Sequence, residues 1–308
     1  MLLRYAHLAR YPTVFRAMTG LTVAQFDALA LDLQPRYAAA EQRRLARPIR
    51  RRAIGGGRKC MLARRDHLLL TVVWLRRYPI SAVLGFLFGV SQPTARRTVR
   101  RVVPLLEAAG LDTMRLPDPG KGHRRDLDAL LAETPALAVL IDTFEQRVQR
   151  PRYRAEADRY YSGKKQQHTL KTQVAIDEWD GSVVDVPPSV RGPTADITLL
   201  QDSGLLERLP EGGGGLGDLA YVGIADLHPQ GLGATPRRKP RGQPRPPQDI
   251  ASNRAFARRR VRVEQTIRRL RVFEALTQPD RHHRRGHTAR VRAVAGLVNR
   301  QLRARRVA

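Results

Sequence analysis

The sequence predicts an all-α region followed by an α/β domain with a mixed central sheet. Three observations support this. Residues 64–77 have the apolar spacing of a buried helix, within a stretch that contains helical patterns only. After residue 135, short apolar runs of strand length alternate with helical segments, as in α/β domains. Between the two regions, residues 111–128 are rich in proline, glycine and charge, which is typical of a linker.

We therefore predict four segments along the chain. They are an N-terminal helical region at 1–118, a linker at 119–134, an α/β domain at 135–280 and a basic C-terminal helix at 281–308.

Charge is the strongest compositional signal in the 308 residues. Lysine and arginine number 56 against 28 acids, which gives a net charge of +28. Such an excess favours a polyanionic partner, most often nucleic acid. The longest apolar run, residues 68–75, is much shorter than the roughly 20 residues of a membrane helix. The single cysteine, Cys60, excludes an internal disulfide and a zinc site built on several cysteines. We expect a soluble intracellular protein.

Residues 79–107 have the pattern of a helix-turn-helix. A first helix is expected at about 80–88, a turn at Gly89, and a second helix capped by Ser91. The second helix begins with threonine and arginine, where a recognition helix meets base edges. This predicts DNA contacts from four side chains: Thr94, Arg96, Arg97 and Arg100. The alternative is an ordinary helical hairpin.

The α/β region begins with ALAVLID, a buried-looking strand that is predicted to end at Asp142. The extended Pro-rich stretch at 236–248 predicts an irregular basic loop. The other predicted elements are strands at 169–177 and 181–187, a helix at 194–208 capped by Thr194, a very short strand before Asp218, a helix at 250–274 capped near Ser252 or Asn253, and a last helix at 288–303.

Three acids are candidates for a metal site. Asp142 and Asp218 follow apolar strands, and Glu264 lies beside the apolar stripe of a helix. Acids so placed can converge above the edge of a sheet. Oxygen ligands suit Mg²⁺ or Mn²⁺, and two such ions about 3.5–4 Å apart hold the attacking and leaving oxygens in phosphoryl transfer. Solvated aspartates and a Glu264–Arg268 pair at i,i+4 are the alternative, and spacing alone does not decide.

Five blocks carry a resemblance to a known family: IDTFEQRVQRP (141–151), YYSGKKQQHTLKTQVAID (160–177), GPTADITLLQDSGLL (192–206), GDLAYVGI (217–224) and RRVRVEQTIRRLRVF (259–273). In them the chain resembles bacterial insertion-sequence transposases of the DDE superfamily, in the branch related to the Harbinger elements. The resemblance implies an RNase H-like fold with Asp142, Asp218 and Glu264 as catalytic, metal-binding carboxylates. Thr143 and Ala220 stand where the family often has glycine.

The resemblance also implies a function. The expected enzyme cleaves element ends and joins them to target DNA by phosphoryl transfer with two Mg²⁺ or Mn²⁺ ions. Its partner would be double-stranded DNA, bound by a homodimer or larger assembly, and its location the bacterial cytoplasm, at the nucleoid. Two alternatives remain: a non-catalytic DNA-binding protein, such as a regulator or a domesticated transposase relative, and a metal-dependent nuclease without strand transfer.

The remaining polar residues have simpler interpretations. Asp196 begins a helix, where an acid favours the helix dipole, so a structural role is preferred over a fourth active-site acid. Histidines 282, 283 and 287 are interpreted as surface residues. Tyrosines 160, 161 and 221 are suited to core packing, with stacking on a splayed base as the alternative. The residues predicted to contact DNA phosphates or stabilise charge are Lys164, Lys165, His168, Lys171 and Arg268.

Overall fold

A computed structural model describes residues 3–46, 60–118, 135 and 137–307. Residues 47–59 and the predicted linker at 119–134 lie outside the described residues. The chain forms two compact units. The first unit comprises residues 1–112, 272–275 and 292–308, and the second comprises 113–271 and 276–291. Both units are discontinuous in sequence, and the predicted linear division into four segments stays a prediction.

The described part of the first unit is helical. Its helices are α1 (Tyr5–Leu8), α2 (Pro12–Thr19), α3 (Val23–Asp32), α4 (Gln34–Leu45), α5 (Arg64–Arg77), α6 (Ser81–Phe88), α7 (Gln92–Leu111) and the C-terminal part of α11 (His287–Val307). Helix α5 is buried along its length, as predicted, because its apolar residues pack against α2 and α7. Thr22 opens α3 through a reciprocal pair of hydrogen bonds with Gln25.

Helices α6 and α7 form the predicted helix-turn-helix. Gly89 ends α6 with a left-handed backbone (φ 59°), which glycine adopts without strain. Ser91 stands at the N-cap of α7, but its hydroxyl lies 2.9 Å from the Thr94 hydroxyl and bonds no backbone amide. Arg96, Arg97 and Arg100 are exposed on α7.

The second unit contains a mixed sheet. Its strands are β1 (Leu137–Arg147), β2 (Tyr161–Ser162), β3 (Gln167–Asp177), β4 (Val183–Asp185), β5 (Val190–Arg191), β6 (Gly213–Leu216) and β7 (Gly233–Ala234). Strand β1 is antiparallel to β3 and parallel to β6, and β7 is parallel to β6. Short strands β2, β4 and β5 pair with β3.

The helices of the second unit are α8 (Arg154–Tyr160), α9 (Asp196–Ser203), α10 (Pro247–Arg271) and the first turn of α11. Helix α10 lies against β1 and β3 and buries the predicted stripe of Val263, Ile267 and Leu270. A second group of apolar residues, including Val139, Ile141, Leu200 and Tyr221, packs β1 against α9. The predicted class is confirmed: a helix-turn-helix region precedes an RNase H-like α/β domain with a mixed sheet.

Three predicted boundaries are wrong. Asp142 does not end β1, because antiparallel pairing with β3 continues as far as Arg147. Thr194 does not cap α9: the N-cap is Ala195, and the Thr194 carbonyl accepts a hydrogen bond from Lys171.

Helix α10 begins at Pro247, not near Asn253. Proline suits the first turn of a helix, where its missing N–H has no intrahelical partner. The Asn253 amide is already inside the helix, where it bonds the backbone N–H and carbonyl of Arg237 at 2.8 and 3.0 Å. Through residue 246, the preceding Pro-rich stretch is irregular, as predicted. None of the described helices is long and apolar enough to cross a membrane.

Candidate active site

Two of the three predicted carboxylates lie close in sequence to the paired part of neighbouring parallel strands. The last paired residues of β1 and β6 are Leu140 and Leu216, which stand opposite each other. Asp142 and Asp218 each lie two residues beyond that pair, Asp142 within β1 and Asp218 after the end of β6. The Asp218 carboxylate accepts a hydrogen bond from the Ala220 N–H at 2.9 Å and opens a single helical turn.

Gly217 permits the sharp departure of the chain from β6. A Cβ atom at this position would lie 2.5 Å from the Cβ of Tyr221, closer than real side chains approach. Only glycine therefore lets the turn after Asp218 fold back onto the end of the strand.

Asp142 has the electrostatic character of a functional carboxyl group. Its pKa is raised to about 6, chiefly by burial, and the negative charges of Asp218 and Asp196 act in the same direction. The Thr143 N–H, which donates to Asp142 at 2.8 Å, and the Arg260 guanidinium act in the opposite direction. A carboxyl group whose pKa is raised towards neutral pH by burial and by neighbouring acids is typical of a catalytic or metal-binding position.

Arg260 of α10 is the cation nearest to this carboxylate. Its Nη2 lies 3.7 Å from the Asp142 Oδ2, and only 14% of its side chain is exposed. The preceding Arg259 is committed elsewhere, because its fully buried guanidinium binds both carboxylate oxygens of Glu178 at 2.6 and 2.5 Å. Arg260 is not among the site residues predicted from the sequence. Its position four residues before Glu264, on the same helix face, was the available signal.

Asp196 is paired inside the second unit. Its carboxylate accepts from the Lys171 ammonium at 2.6 Å, and Lys171 also donates to the Thr194 carbonyl at 2.5 Å. Both side chains are about nine-tenths buried. This arrangement agrees with the structural role preferred for Asp196, although its charge still acts on Asp142. The phosphate contact predicted for Lys171 is at odds with this burial, because its ammonium group is already occupied.

Tyr221 lies among these acids with its hydroxyl unsatisfied. The residue is fully buried, and its hydroxyl has no hydrogen-bond partner in the part of the chain that the structure describes. Burial raises the pKa of Tyr221, and the charges of Asp196, Asp142 and Asp218 add to the effect. Buried hydroxyls without partners are uncommon in folded proteins, and this one interacts electrostatically with the acids of the candidate site.

Glu264 is the third predicted carboxylate. It is exposed on α10, one helical turn beyond Arg260. Within residues 3–46, 60–118, 135 and 137–307, no three acidic, histidine or cysteine side chains lie close enough together to hold a metal ion.

The predicted DNA contacts differ in their exposure. Arg96, Arg97, Arg100, Lys164, Lys165 and Arg268 are exposed, and Thr94 and His168 are half-buried. For one histidine, the prediction of a surface position is wrong. His287 is fully buried, with its Nε2 2.8 Å from the Gln146 Oε1 and its Nδ1 2.8 Å from the Ser189 Oγ.

Comparison with known families agrees with this architecture. Residues 141–299, more than half of the chain, match the family described as DDE superfamily endonuclease. Residues 60–111 match the helix-turn-helix of DDE superfamily endonuclease. The chain belongs to the DDE superfamily of endonucleases. The resemblance drawn from the sequence motifs is thereby confirmed.

This DDE endonuclease is also similar to a curated relative. It is 26% identical over 288 residues, 94% of each chain, to a probable transposase for insertion sequence element IS702 of Microchaete diplosiphon. No solved structure matches. The helix-turn-helix match covers α5, α6 and α7, and the endonuclease match begins at Ile141, one residue before Asp142. A helix-turn-helix joined to an endonuclease domain indicates an enzyme that acts on DNA.

Proposed function

We propose that this DDE endonuclease is a DNA transposase that cleaves the ends of a mobile element and joins them to target DNA. Asp142, Asp218 and Glu264 are its catalytic, metal-binding carboxylates. The observation that carries the proposal is the position of Asp142 and Asp218, each two residues beyond the last paired residues of β1 and β6, with burial raising the pKa of Asp142. Similarity to a probable transposase over nearly the whole chain supports it.

The residues fit a pair of Mg²⁺ or Mn²⁺ ions. Asp142 and Asp218 supply the oxygen ligands that these ions prefer, and the unsatisfied Tyr221 hydroxyl lies beside them. Glu264 would complete the set, because it is one turn from the arginine that already reaches Asp142. When bound, the ions stabilise the charge that develops on the attacking and leaving oxygens.

The chain itself contributes charge and orientation. The Arg260 guanidinium partly offsets the negative charge around Asp142. The same group is suited to bind a phosphate oxygen of the DNA backbone. Thr94 and the exposed arginines of α7 are proposed to contact the DNA, together with Lys164, Lys165, His168 and Arg268. Because two element ends must be joined, we propose at least a homodimer on DNA.

Plasmid nicking with Mg²⁺ or Mn²⁺ tests the catalytic residues. Asp142→Asn, Asp218→Asn and Glu264→Gln are each expected to lower the nicking rate by at least on the order of 100-fold, as removal of one charge-stabilising group typically does. Asp226→Asn is the matched control, because this aspartate is exposed in the same unit. Nicking that survives Asp142→Asn contradicts the proposal.

Two further arms separate the alternatives. If Glu264→Gln nicks normally while Asp196→Asn remains as stable as the wild type in urea but does not nick, Asp196 is the third carboxylate. Strand transfer with the native element ends distinguishes a transposase from a nuclease that never joins strands. A protein that binds DNA but neither nicks nor transfers it is a non-catalytic relative.

A further inference from the structure

A cavity of about 470 Å³ opens in the second unit, at the far end of β1 from the carboxylates. Its volume is in the range of pockets that hold small organic ligands, roughly 300–1,000 Å³. Three segments form it: the end of β1 with the residues that follow, the hairpin between β2 and β3, and Pro279. The lining residues are Arg147, Val148, Gln149, Arg150, Tyr161, Gln166, Gln167, His168 and Pro279.

One wall of the cavity is flat and aromatic. The Tyr161 side chain is 45% exposed, unusual for an aromatic residue whose backbone is paired in a sheet. The His168 ring meets it edge-on, with ring centroids 5.5 Å apart and planes at 70°. Val148 and Pro279 add apolar surface, so the cavity suits a planar ligand that stacks on an aromatic face.

The rim of the cavity is polar and cationic. Gln149, Gln166 and Gln167 are exposed, and each carries an amide with both a donor and an acceptor. Such amides match the hydrogen-bonding edges of nucleobases. Arg147 and Arg150 are also exposed, and guanidinium groups match phosphate oxygens. An aromatic wall, amide groups and guanidinium groups together describe a site for a nucleotide.

The cavity is held open by buried structure. The Val148 N–H donates to the His168 carbonyl at 2.8 Å, and the Asp280 N–H donates to the Arg147 carbonyl at 2.8 Å. The Asp280 carboxylate has no exposed surface and is paired with the buried Arg290. The hairpin ends at Gln166, whose left-handed backbone (φ 51°) is uncommon for a residue other than glycine. Such strain persists only where the surrounding structure requires it and often accompanies a binding role.

We propose that this cavity binds an unstacked nucleobase of the DNA substrate. Tyr161 stacks on the base, the glutamine amides contact its edge, and the arginines hold the flanking phosphates. The inference rests on the proposed function for the choice of DNA as substrate.

Two DNA probes that differ in one base test the proposal. One is a duplex with a single unpaired thymine, and the other is the same duplex with an abasic residue in its place. Binding of the full chain is measured by fluorescence anisotropy in EDTA, so catalysis plays no part. The wild type is expected to bind the thymine probe about tenfold more tightly, the size of one stacking contact. Tyr161→Ala should abolish that preference, and Tyr161→Phe should keep it.

Two control variants make the test specific. Tyr153→Ala removes a tyrosine that is 69% exposed in the same unit but does not line the cavity, and it should keep the preference. Joint replacement of Lys164 and Lys165 by alanine should weaken both probes equally, because phosphate contacts do not depend on the base. Equal wild-type affinity for the two probes, or a preference that survives Tyr161→Ala, overturns the proposal.

The result is independent of the catalytic assignment. A retained thymine preference in a chain whose nicking survives Asp142→Asn would support the cavity and refute the carboxylates. Lost nicking in Asp142→Asn together with equal probe affinities would do the reverse.

Discussion

Strand β1 carries two polar clusters that differ in how completely their groups are paired. Around Asp142, burial and neighbouring acids raise the pKa of one carboxyl group, and the Tyr221 hydroxyl has no partner among the described residues. Four residues further along the strand, the Gln146 side chain bonds His287 at 2.8 Å and donates to the Gln278 carbonyl at 2.7 Å. The other ring nitrogen of His287 lies 2.8 Å from the Ser189 hydroxyl.

The difference distinguishes polar groups that stabilise the fold from polar groups that serve function. A buried polar group whose partners are present stabilises one arrangement of the chain. A buried carboxyl group with acids for neighbours costs stability and persists where function requires it. Arg259 and Arg260 repeat the contrast within α10, since the first binds Glu178 with two hydrogen bonds and the second reaches Asp142 only at 3.7 Å.

The largest change in the free energy of unfolding is expected at the buried Asp280–Arg290 ion pair, whose charged groups have partners. Neither side chain is more than 5% exposed. Arg290→Met removes the guanidinium that pairs with the buried Asp280 carboxylate, which is expected to lower the free energy of unfolding by about 3–5 kcal/mol. Urea denaturation measures this value.

Arg44→Met is the matched control for that substitution. Arg44 pairs with Glu41 at 3.3 Å on the surface of α4, where more than a third of each side chain is exposed. Exposed pairs contribute about 0–1 kcal/mol, so this variant should unfold almost like the wild type. Equal losses in the two variants would refute the claim that Asp280 depends on its partner.

Substitution of Asp142, a proposed catalytic residue, should act in the opposite direction and raise the free energy of unfolding. Folding raises the pKa of Asp142 from 3.8 to about 6, so its ionisation at pH 7 opposes folding. The difference corresponds to about 2–3 kcal/mol. Asp142→Asn removes the charge and keeps an oxygen to accept from the Thr143 N–H. We expect the variant to be more stable than the wild type at pH 7, and inactive.

Urea denaturation of Asp142→Asn at pH 7 measures this gain, and exposed Asp226→Asn serves as the control with little change. A variant less stable than the wild type would show that Asp142 is a satisfied structural residue. The polar groups around Asp142 would then be as well paired as those around Gln146.

The sequence predicts well the features that neighbouring residues determine. Helix α5 has the predicted bounds of 64–77, because its apolar residues are close together in the chain. The turn at Gly89 is predicted for the same reason, since glycine favours the positive φ observed there.

Features that depend on distant partners are not predictable in this way. Strand β1 continues past Asp142 because β3 pairs with it, and a single-segment pattern does not contain that partner. His287 is buried by Gln146, 141 residues away, and by Ser189, 98 residues away. The sequence motifs predict Asp142 and Asp218 as site residues. Their equal distance of two residues from the last pair of β1 and β6 is a property of the folded sheet.

The smallest effect concerns pH and tests both clusters together. Burial lowers the pKa of His287 from 6.5 to about 3, so the unfolded chain takes up a proton below pH 6.5 that the native chain does not. Stability from this group is therefore complete above pH 6.5 and falls as the pH is lowered, by about 2 kcal/mol at pH 5. Asp142 has the opposite sign. Its pKa is raised on folding, so lowering the pH from 7 to 5 increases stability by about 1 kcal/mol.

The two contributions partly cancel in the wild type, and single variants separate them. Asp142→Asn should lose more stability between pH 7 and pH 5 than the wild type, and His287→Gln should lose less. Taking each variant relative to the wild type removes the contribution of other titrating groups, such as His67 and His228. Unfolding free energies at the two pH values provide the measurement. If both variants shift the pH dependence in the same direction, the two polar clusters of β1 are not electrostatic opposites, because only pKa values displaced in opposite senses relative to the unfolded chain produce shifts of opposite sign.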